Sequence, residues 1–244
     1  MSEEKILQKK DAYLTWKVWD EIAFGTLKRH HRAYFNAEIE RTKIVLPKNS
    51  KVLEIGYGNG SFLRFAYEKK WDVFGVEENT LLVNKGIDAG FKSLFSGDLS
   101  RFEDDSFDLV VAFDVIEHLS TDALECMLGD IKRILRKGGC FIARFPNGDS
   151  PFGLPNQNGD PTHINSIGSG KVHYFAHQLD LKVIFIGGEA QPLWGHPLLF
   201  VYRVFTVPIK SILKLFIRLI FFSPMSKVDF CSQNLTSVLQ KKDT

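Results

Sequence analysis

Two hydrophobic periods alternate along the central part of the chain. Short apolar runs, such as residues 51–55 and 107–113, have the length and composition of buried strands. Each run is followed by a longer stretch in which apolar residues recur at helical spacing, with turn residues in between. This alternation predicts an α/β fold in which a mostly parallel sheet carries helices on both faces.

The predicted elements are sufficient for a complete doubly wound sheet. Residues 137–139, Lys-Gly-Gly, predict a turn before the fifth strand. Residues 146–170, rich in Gly, Pro, Asn and Ser, predict a long loop over the carboxyl edge of the sheet. The seven predicted strands are 51–55, 72–76, 92–95, 107–113, 140–145, 182–186 and 234–240. One predicted helix starts near residue 60, and three others cover 80–88, 121–135 and 171–179.

Two further features lie outside the alternating pattern. Residues 1–46 predict an N-terminal helical cap, and residues 47–244 then form the main domain. An apolar helical insertion at about 193–224 precedes the last strand, and Pro208 is expected to open its helix. The aromatic residues that indicate the cap are Tyr13, Trp16, Trp19 and Phe24.

Composition and charge narrow the class of protein. The chain has 244 residues, 44% hydrophobic and 25% charged, as in ordinary globular proteins. Its net charge of +2 lacks the basic excess of nucleic-acid-binding proteins, so no nucleic-acid partner is predicted. The widely separated Cys126, Cys140 and Cys231 indicate neither a disulfide framework nor a zinc site. Because the first residues are too polar for a signal peptide, a cytoplasmic location is expected.

A candidate cofactor site follows the first predicted strands. Glycines in the turn after the first strand would let the backbone approach a nucleotide-like cofactor closely. Glu77, at the end of the second strand, is suited to bind a ribose diol. Asp98, after the third, could accept a hydrogen bond from an adenine amino group while Leu99 packs on the ring. A nicotinamide dinucleotide fits less well, because the third glycine comes one position early. The three glycines are Gly56, Gly58 and Gly60.

These segments resemble class I S-adenosylmethionine-dependent methyltransferases over about residues 48–146. The resemblance implies a Rossmann-like fold with a seven-stranded sheet, S-adenosylmethionine as the cofactor, and a glycine turn that holds its methionine part. The side chain of Tyr57 is expected to point away from the cofactor. The motifs that carry the resemblance are residues 52–60, 75–77, 97–98, 107–110 and 135–139. The residues assigned to the cofactor are Glu54, Gly56, Tyr57, Gly58, Gly60, Glu77, Asp98, Leu99, Phe113 and Asp114.

Two histidines are candidates for the catalytic base. A hydroxyl acceptor must lose a proton during methyl transfer, and histidine titrates in a suitable range. His118 follows the fourth predicted strand, and His163 lies in the loop after the fifth. The alternative for His118 is a structural or cofactor-lining role, and for His163 it is the ordering of its loop. Residues 160–163, Asp-Pro-Thr-His, resemble a methyltransferase subgroup associated with bacterial surface-polysaccharide biosynthesis.

A metal ion is not predicted as the first choice. The alternative is a divalent-metal site formed by Asp114, Glu117 and His118, in the manner of methyltransferases that resemble those of quinone biosynthesis. His173 and His177 lie four residues apart, but nothing near them in sequence completes a ligand set.

The apolar insertion is the candidate for membrane contact. It contains no acidic residue, and Lys210, Lys214 and Arg218 recur at helical spacing among Leu, Ile and Phe. This pattern is typical of a helix that lies in a membrane interface, so peripheral contact with the inner face of the membrane is expected. Because its charges leave no uncharged stretch of about 18 residues, a spanning helix is not predicted. The alternative is packing on the sheet or at a dimer interface, and the oligomeric state stays open.

Together these features predict an O-methyltransferase. Its expected acceptor is a sugar hydroxyl of a surface glycan or of the lipid-linked precursor. One alternative is a small-molecule O- or N-methyltransferase that acts on a quinone or another aromatic compound. A second alternative is a non-catalytic scaffold protein that binds the cofactor without turnover.

Overall fold

The structure is a computed structural model that describes residues 15–17, 19, 22–192, 197–222 and 228–243. The strands are β1 (Lys51–Ile55), β2 (Asp72–Val76), β3 (Leu94–Phe95), β4 (Phe107–Phe113), β5 (Leu135–Pro146), β6 (Leu181–Gly188) and β7 (Asn234–Lys241). The α-helices are α1 (Arg29–Glu40), α2 (Ser61–Glu68), α3 (Thr80–Asp88), α4 (Thr121–Ile134), α5 (Leu154–Gly159), α6 (Ser169–Gln178) and α7 (Pro197–Phe221). Short 3-10 turns cover Ile116–His118 and Pro151–Gly153.

All seven strands belong to one sheet, in the order β3-β2-β1-β4-β5-β7-β6. The pairs from β3 to β5 are parallel, whereas β7 runs antiparallel to both β5 and β6. The strand order reverses between β1 and β4, and ligands of such sheets bind in the crevice at the carboxyl ends of these strands. The predicted α/β class, a Rossmann-like and mostly parallel sheet of seven strands, is confirmed.

Helices cover both faces of the sheet because each buries an apolar stripe. Val110 and Val111 of β4 are neighbours in sequence and therefore belong to opposite faces. Val110 shares a core with Leu128 of α4, and Val111 shares one with Phe35 of α1 and Phe65 of α2. Burial of each such side chain contributes roughly 1.5–3 kcal/mol. The two cores fix the sheet and leave its carboxyl edge open for a site.

The predicted turn at residues 137–139 is wrong. Leu135 already pairs with Phe107, so β5 begins five residues before the predicted strand. Gly138, with φ of +75°, lies where the register shifts, and regular pairing resumes between Cys140 and Leu109. The glycines therefore form an irregularity inside a strand rather than a turn before it.

Two proline-containing segments also differ from the predictions. Pro208 lies inside α7 and does not open it, because the helix already begins at Pro197. The missing N–H of an interior proline costs one backbone hydrogen bond, which this helix of 25 residues tolerates. The predicted loop at 146–170 contains a 3-10 turn and α5. Pro155 lies in the first turn of α5, where its missing N–H needs no partner.

A buried acid attaches the N-terminal helix to the sheet. Glu38 of α1 is fully buried, and its Oε1 accepts hydrogen bonds from the backbone N–H of Ala190 at 2.6 Å and the hydroxyl of Thr236 at 3.0 Å. Arg41 forms an ion pair with Oε2 at 2.9 Å.

The predicted N-terminal cap is helical only in part, since residues 43–47 are irregular. Residues 1–14, with Tyr13, lie outside the described residues.

Candidate active site

The turn after β1 requires glycine at alternate positions. Gly56, Gly58 and Gly60 have φ of +64°, +50° and +71°, in the left-handed region that other residues rarely adopt. A Cβ on Gly56 would lie 2.5 Å from Val115. One on Gly58 would lie 2.6 Å from the ring of Trp19. The glycines were expected to clear space for a cofactor, but side chains of the chain itself occupy these positions.

Glu77 lies one residue beyond β2 and contacts the glycine turn. Its Oε2 accepts a hydrogen bond from the N–H of Gly58 at 3.1 Å, and its Oε1 accepts one from the N–H of Asn79 at 3.0 Å. Burial raises the pKa of Glu77, and hydrogen bonds from three backbone N–H groups, those of Asn79, Gly58 and Glu78, oppose this effect. Each carboxylate oxygen has a further lone pair, so the group can still accept hydrogen bonds from a diol.

A cleft of about 930 Å³ lies at the carboxyl ends of β1, β2, β3 and β4, and we call it the strand-end cleft. Glu77, Asp98 and Leu99 line it. The exposed Asp98 accepts hydrogen bonds from the N–H of Ser100 at 3.0 Å and from its hydroxyl at 2.5 Å, and the hydroxyl lowers the pKa of Asp98. Gly97 has φ of +106° and faces open space. Two carboxylates and an apolar wall suit a nucleoside.

A second cavity of about 470 Å³ adjoins the strand-end cleft. It contains His118 and His163, and we call it the histidine cavity. The two cavities share Trp19, Gly56, Asp114 and His118 in their walls, so a group in one can reach a group in the other across Gly56. Both aromatic and polar side chains line the histidine cavity, including Trp16, Tyr34, Phe113, Arg144, Asn156 and Asn234.

The residues assigned to a cofactor are divided between the two cavities. Gly60 lines neither of them. Burial raises the pKa of Glu54 well above its usual value, and Tyr57 is buried against Phe24. The strand-end cleft contains Gly56, Glu77, Asp98, Leu99 and Asp114. The histidine cavity contains Glu54, Tyr57, Gly58 and Phe113, together with Gly56 and Asp114. Their roles in cofactor binding stay predictions.

Backbone hydrogen bonds bring the two histidines together. The carbonyl of Glu117, in the 3-10 turn after β4, accepts hydrogen bonds from the N–H groups of Ile164 at 3.0 Å and Asn165 at 3.1 Å. The loop after β5 is thereby attached to the turn after β4. The ring centroids of His118 and His163 lie 4.6 Å apart as a result.

Asp160 organises the residues before His163. Its Oδ1 accepts hydrogen bonds from the N–H of Thr162 at 3.0 Å and from the hydroxyl at 2.5 Å. Its carbonyl accepts one from the N–H of His163 at 3.2 Å. Burial opposes ionisation, but the bonds from Thr162 and the ion pair with Lys17 lower the pKa of Asp160 to about 2. Asp160 is therefore an ionised carboxylate that fixes this turn.

Hydrogen bonds also fix the tautomer of each histidine. The hydroxyl proton of Thr162 is donated to Asp160, so its Oγ1 accepts from Nδ1 of His118 at 3.0 Å. Nδ1 of His163 lies 3.2 Å from the carbonyl of Gln157 and must donate to it. Burial, together with His163, lowers the pKa of His118. Nδ1 is therefore a protonated nitrogen in both rings, and Nε2 is the atom that carries a lone pair in the neutral form.

Glu117 is buried beside the histidine pair. Its side chain is 1% exposed, and its Oε1 lies 3.8 Å from Nε2 of His163. Burial, with a further contribution from Asp114, raises the pKa of Glu117 to about 8. One possible ligand atom each from Glu117, His118 and His163 lies within 4.8 Å of the others. This cluster shares Glu117 and His118 with the alternative metal site predicted from the sequence, but contains His163 in place of Asp114.

Asp114 is instead paired with an arginine that sequence reasoning missed. Arg144 of β5 donates from Nε to Oδ1 of Asp114 at 2.9 Å and from Nη2 to Oδ2. Its guanidinium lies 5.3 Å from the ring centroid of Tyr34. Asp114 itself has φ of +57°. The sequence does contain a signal for Arg144, since it is a charged residue between Ala143 and Phe145 in an otherwise apolar run.

The helix α7 presents apolar residues to solvent, and two of its four basic residues contact other parts of the chain. Lys214 forms an ion pair with Asp229 at 2.7 Å, and Arg203 donates to the carbonyl of Pro192. None of the helices in the described ranges is long and apolar enough to cross a membrane. The most exposed of its large apolar side chains are Leu198, Phe205, Ile209, Phe216, Ile220 and Phe221.

Comparison with known proteins identifies the family. A family profile described as "Methyltransferase domain" matches residues 27–185, which is more than half of the chain. A solved structure, an S-adenosylmethionine-dependent methyltransferase from Archaeoglobus fulgidus, has a TM-score of 0.61 and 19% identity, covering 86% of this chain and 94% of its own. The prediction of a methyltransferase that uses S-adenosylmethionine is confirmed at the level of the family, and the polysaccharide subgroup is not tested.

Two curated relatives match only part of their own length. An uncharacterized methyltransferase of Anoxybacillus flavithermus is 24% identical over 136 residues, 54% of this chain and 64% of the relative. The tRNA (carboxymethyluridine(34)-5-O)-methyltransferase alkbh8 of Xenopus tropicalis is 30% identical over 125 residues, 50% of this chain and 19% of that protein. The chain thus spans less than two thirds of either relative.

Proposed function

Because the chain belongs to the family defined by the methyltransferase domain, we propose that it transfers a methyl group from S-adenosylmethionine to a hydroxyl of a sugar acceptor. The acceptor is a surface glycan or its lipid-linked precursor. The observation that carries the proposal is the contact between the two cavities at Gly56, Asp114 and His118. A cofactor in the strand-end cleft and an acceptor in the histidine cavity would meet there.

The strand-end cleft fits the cofactor that the family implies. Glu77 would bind the ribose diol with the lone pairs that its backbone donors leave free. Leu99 would pack on the adenine and Asp98 would accept from its amino group, while the open space at Gly97 leaves room for the base. When bound, S-adenosylmethionine supplies an electrophilic methyl group on a sulfonium. The protein then has to place the acceptor in line with it and exclude water.

The lining of the histidine cavity supports a sugar hydroxyl as acceptor. Its aromatic side chains can pack on the apolar face of a sugar ring, while Asn156 and Asn234 can hydrogen-bond to hydroxyls. The Nε2 lone pairs of His118 and His163 are available for the reacting hydroxyl, because Nδ1 of each ring is the protonated nitrogen. A lone pair in this position can receive either a proton or a cation.

The exposed apolar surface of α7 supports an acceptor that is attached to lipid. Contiguous apolar patches of this extent are uncommon on soluble monomers and mark interaction surfaces. The helix contains no acidic residue between 197 and 221, and Arg218 is exposed at its C-terminal end. Anionic lipid headgroups would complement this charge while the apolar side chains enter the acyl boundary. We therefore assign the surface of α7 to an anionic membrane surface.

The methyl-transfer proposal is tested with labelled S-adenosylmethionine. The purified chain is incubated with glycan extracts, with lipid-linked sugar fractions, and with quinone and aromatic hydroxyl compounds. We expect label in a sugar fraction, and loss of this label in the Glu77→Ala variant. Transfer only to quinones or other aromatic compounds would overturn the sugar assignment. Cofactor binding without transfer to any acceptor class would support the scaffold alternative instead.

The membrane proposal is tested by flotation with vesicles. We expect the chain to float with vesicles that contain phosphatidylglycerol, and a variant with Phe205, Phe216 and Ile220 changed to serine to remain in the dense fraction. A matched control changes the exposed Val45, Ile87 and Ile164 to serine and should still float. A stable dimer that does not bind vesicles, detected by light scattering, would assign the α7 surface to self-association.

A further inference from the structure

We propose that Glu117, His118 and His163 form a binding site for a divalent transition-metal cation in the histidine cavity. The strongest indication is the carboxylate of Glu117. Its side chain is 1% exposed, and neither oxygen has a hydrogen-bond partner from another residue in the described parts of the chain. A buried acid without partners is costly to maintain, and a bound cation would offset this cost.

The two histidines are held in the way that metal ligands usually are. In most metal sites, the ring nitrogen that does not bind the metal donates a hydrogen bond to a protein oxygen, which orients the ring and fixes its tautomer. Nδ1 of His118 donates to Thr162, and Nδ1 of His163 donates to the carbonyl of Gln157. The Nε2 lone pairs that remain are those of two preoriented ligands.

The distances fit a shared cation better than a direct hydrogen bond. Nε2 of His163 and Oε1 of Glu117 are 3.8 Å apart, which exceeds the range of a hydrogen bond. Two ligand atoms that each lie about 2.0–2.2 Å from one cation are separated by roughly 3–4 Å. The three groups, whose ligand atoms all lie within 4.8 Å of one another, could therefore close around one ion after small rotations.

The charges around the cluster also favour a cation. Nε2 of His163 faces a second carboxylate, that of Asp160, at 3.7 Å. Asp114 is near enough to disfavour the charged form of Glu117. Lys17 pairs with Asp160, and Arg144 with Asp114. The two basic side chains on this side of the cavity are thus already bound to other acids, which leaves Glu117 to a cation.

The ligand set selects the class of metal. Two imidazole nitrogens and one carboxylate suit Mn²⁺, Fe²⁺, Co²⁺ or Zn²⁺, whereas Mg²⁺ and Ca²⁺ prefer sites made of oxygen. Three protein ligands leave coordination positions open towards the histidine cavity. A sugar hydroxyl or a water molecule could occupy them.

The role of the cation rests on the proposed function. A hydroxyl bound to a divalent cation loses its proton more readily, because the cation stabilises the resulting alkoxide. That oxygen would form the new O–CH₃ bond as the S–CH₃ bond breaks, the electron pair would return to sulfur, and the proton would leave to water. His118 and His163 would then act as ligands, and neither would serve as the base.

Direct binding of Mn²⁺ to the full chain tests the site. With Mn²⁺ alone, the amplitude of the free-ion electron paramagnetic resonance signal should report one bound ion per chain. We expect Glu117→Gln and His163→Asn each to weaken binding at least tenfold. The exposed His173→Asn and Glu125→Gln are matched controls and should bind as the unchanged chain does. Circular dichroism and the Tm of each variant show whether it is folded.

Two results would overturn the site. One is the absence of binding of both Mn²⁺ and Zn²⁺, and the other is a folded His163→Asn variant that binds Mn²⁺ as tightly as its control. Methyl transfer after chelation separates this proposal from the proposed function. Full activity in the metal-free chain refutes the role of the cation and leaves the methyltransferase assignment intact. Metal binding without transfer to any acceptor refutes the proposed function and leaves the site intact.

Discussion

The strand-end cleft and the histidine cavity share a wall, yet they are constructed in different ways. The cleft takes its polar groups from the ends of consecutive parallel strands, and backbone N–H groups hold its central acid, Glu77. The cavity combines the glycine turn after β1 and the turn after β4 with the N-terminal segment, the loop after β5 and the start of β7. Its histidines are held by backbone hydrogen bonds from the loop after β5 and by the side chains of Thr162 and Asp160. The difference suggests that the cleft serves a common cofactor, while the cavity is specific to the acceptor.

The largest expected effect is a loss of turnover without a loss of cofactor affinity. His163→Asn removes one imidazole from the acceptor side and should lower kcat about 10²–10⁴-fold. The Kd for S-adenosylmethionine should stay within about a factor of two, since His163 does not line the strand-end cleft. Kinetics with labelled cofactor and calorimetry measure the two quantities, and His177→Asn is the exposed control. An equal loss of cofactor affinity would contradict the division into two cavities.

The next effect lies on the cofactor side. Glu77→Ala should raise the Kd for S-adenosylmethionine roughly 10–100-fold, because a hydrogen bond to a charged group is worth about 1.5–3 kcal/mol. The comparison is Glu78→Ala, because Glu78 also lines the cleft but is not assigned to the ribose, and its Kd should change by about threefold or less. Calorimetry on both variants decides the assignment. A larger effect at Glu78 would assign the ribose contact to Glu78 instead of Glu77.

A smaller effect is expected from a change in the positioning of His118, which lies in the wall that the two cavities share. Thr162→Val removes the hydroxyl that links Asp160 to Nδ1 of His118, and should lower kcat or metal affinity by about tenfold. Thr162→Ser keeps the hydroxyl and should restore most of the loss. If serine and valine have the same effect, Thr162 contributes packing alone and the hydrogen-bonded chain is not important for turnover.

The smallest effect is expected at the exposed end of the strand-end cleft. Asp98→Ala should raise the Kd for S-adenosylmethionine about threefold to tenfold, because water competes for an exposed acceptor and the net hydrogen bond is worth about 0.5–1.5 kcal/mol. Asp88→Ala, an exposed acid at the end of α3, is the control. A change at Asp98 as large as that at Glu77 would mean that the two ends of the cleft are equally enclosed.

The cleft could be predicted from the sequence and the cavity could not. Glu77 and Asp98 follow their strands directly, so the β-α pattern alone places them at one edge of the sheet. The meeting of His163 with Glu117 depends on hydrogen bonds between the loop after β5 and the carbonyl of Glu117, for which no local pattern exists. Arg144 interrupts an apolar run, but the sequence does not show its partner, because Asp114 lies just after β4 and 30 residues away.

The orientation of α7 is a second feature that could not be predicted from the sequence. Its periodicity predicts a basic stripe next to an apolar surface, and both are present. Periodicity gives the angle between two stripes but not which of them faces the protein. Lys214 contacts Asp229, a residue beyond the helix, so the middle of the basic stripe faces the protein while Arg218 stays exposed. The orientation therefore depends on a contact outside the pattern that predicted the helix.

The buried carboxylate of Glu38 has a consequence for the timing of folding. Its partners Ala190 and Thr236 are 152 and 198 residues away in sequence. During synthesis, α1 leaves the ribosome long before either partner, and contacts so distant in sequence form late because a long loop must close first. Until then the apolar face of α1 has no complete docking site and stays exposed on the nascent chain. We therefore expect chaperones to bind the nascent chain at this helix.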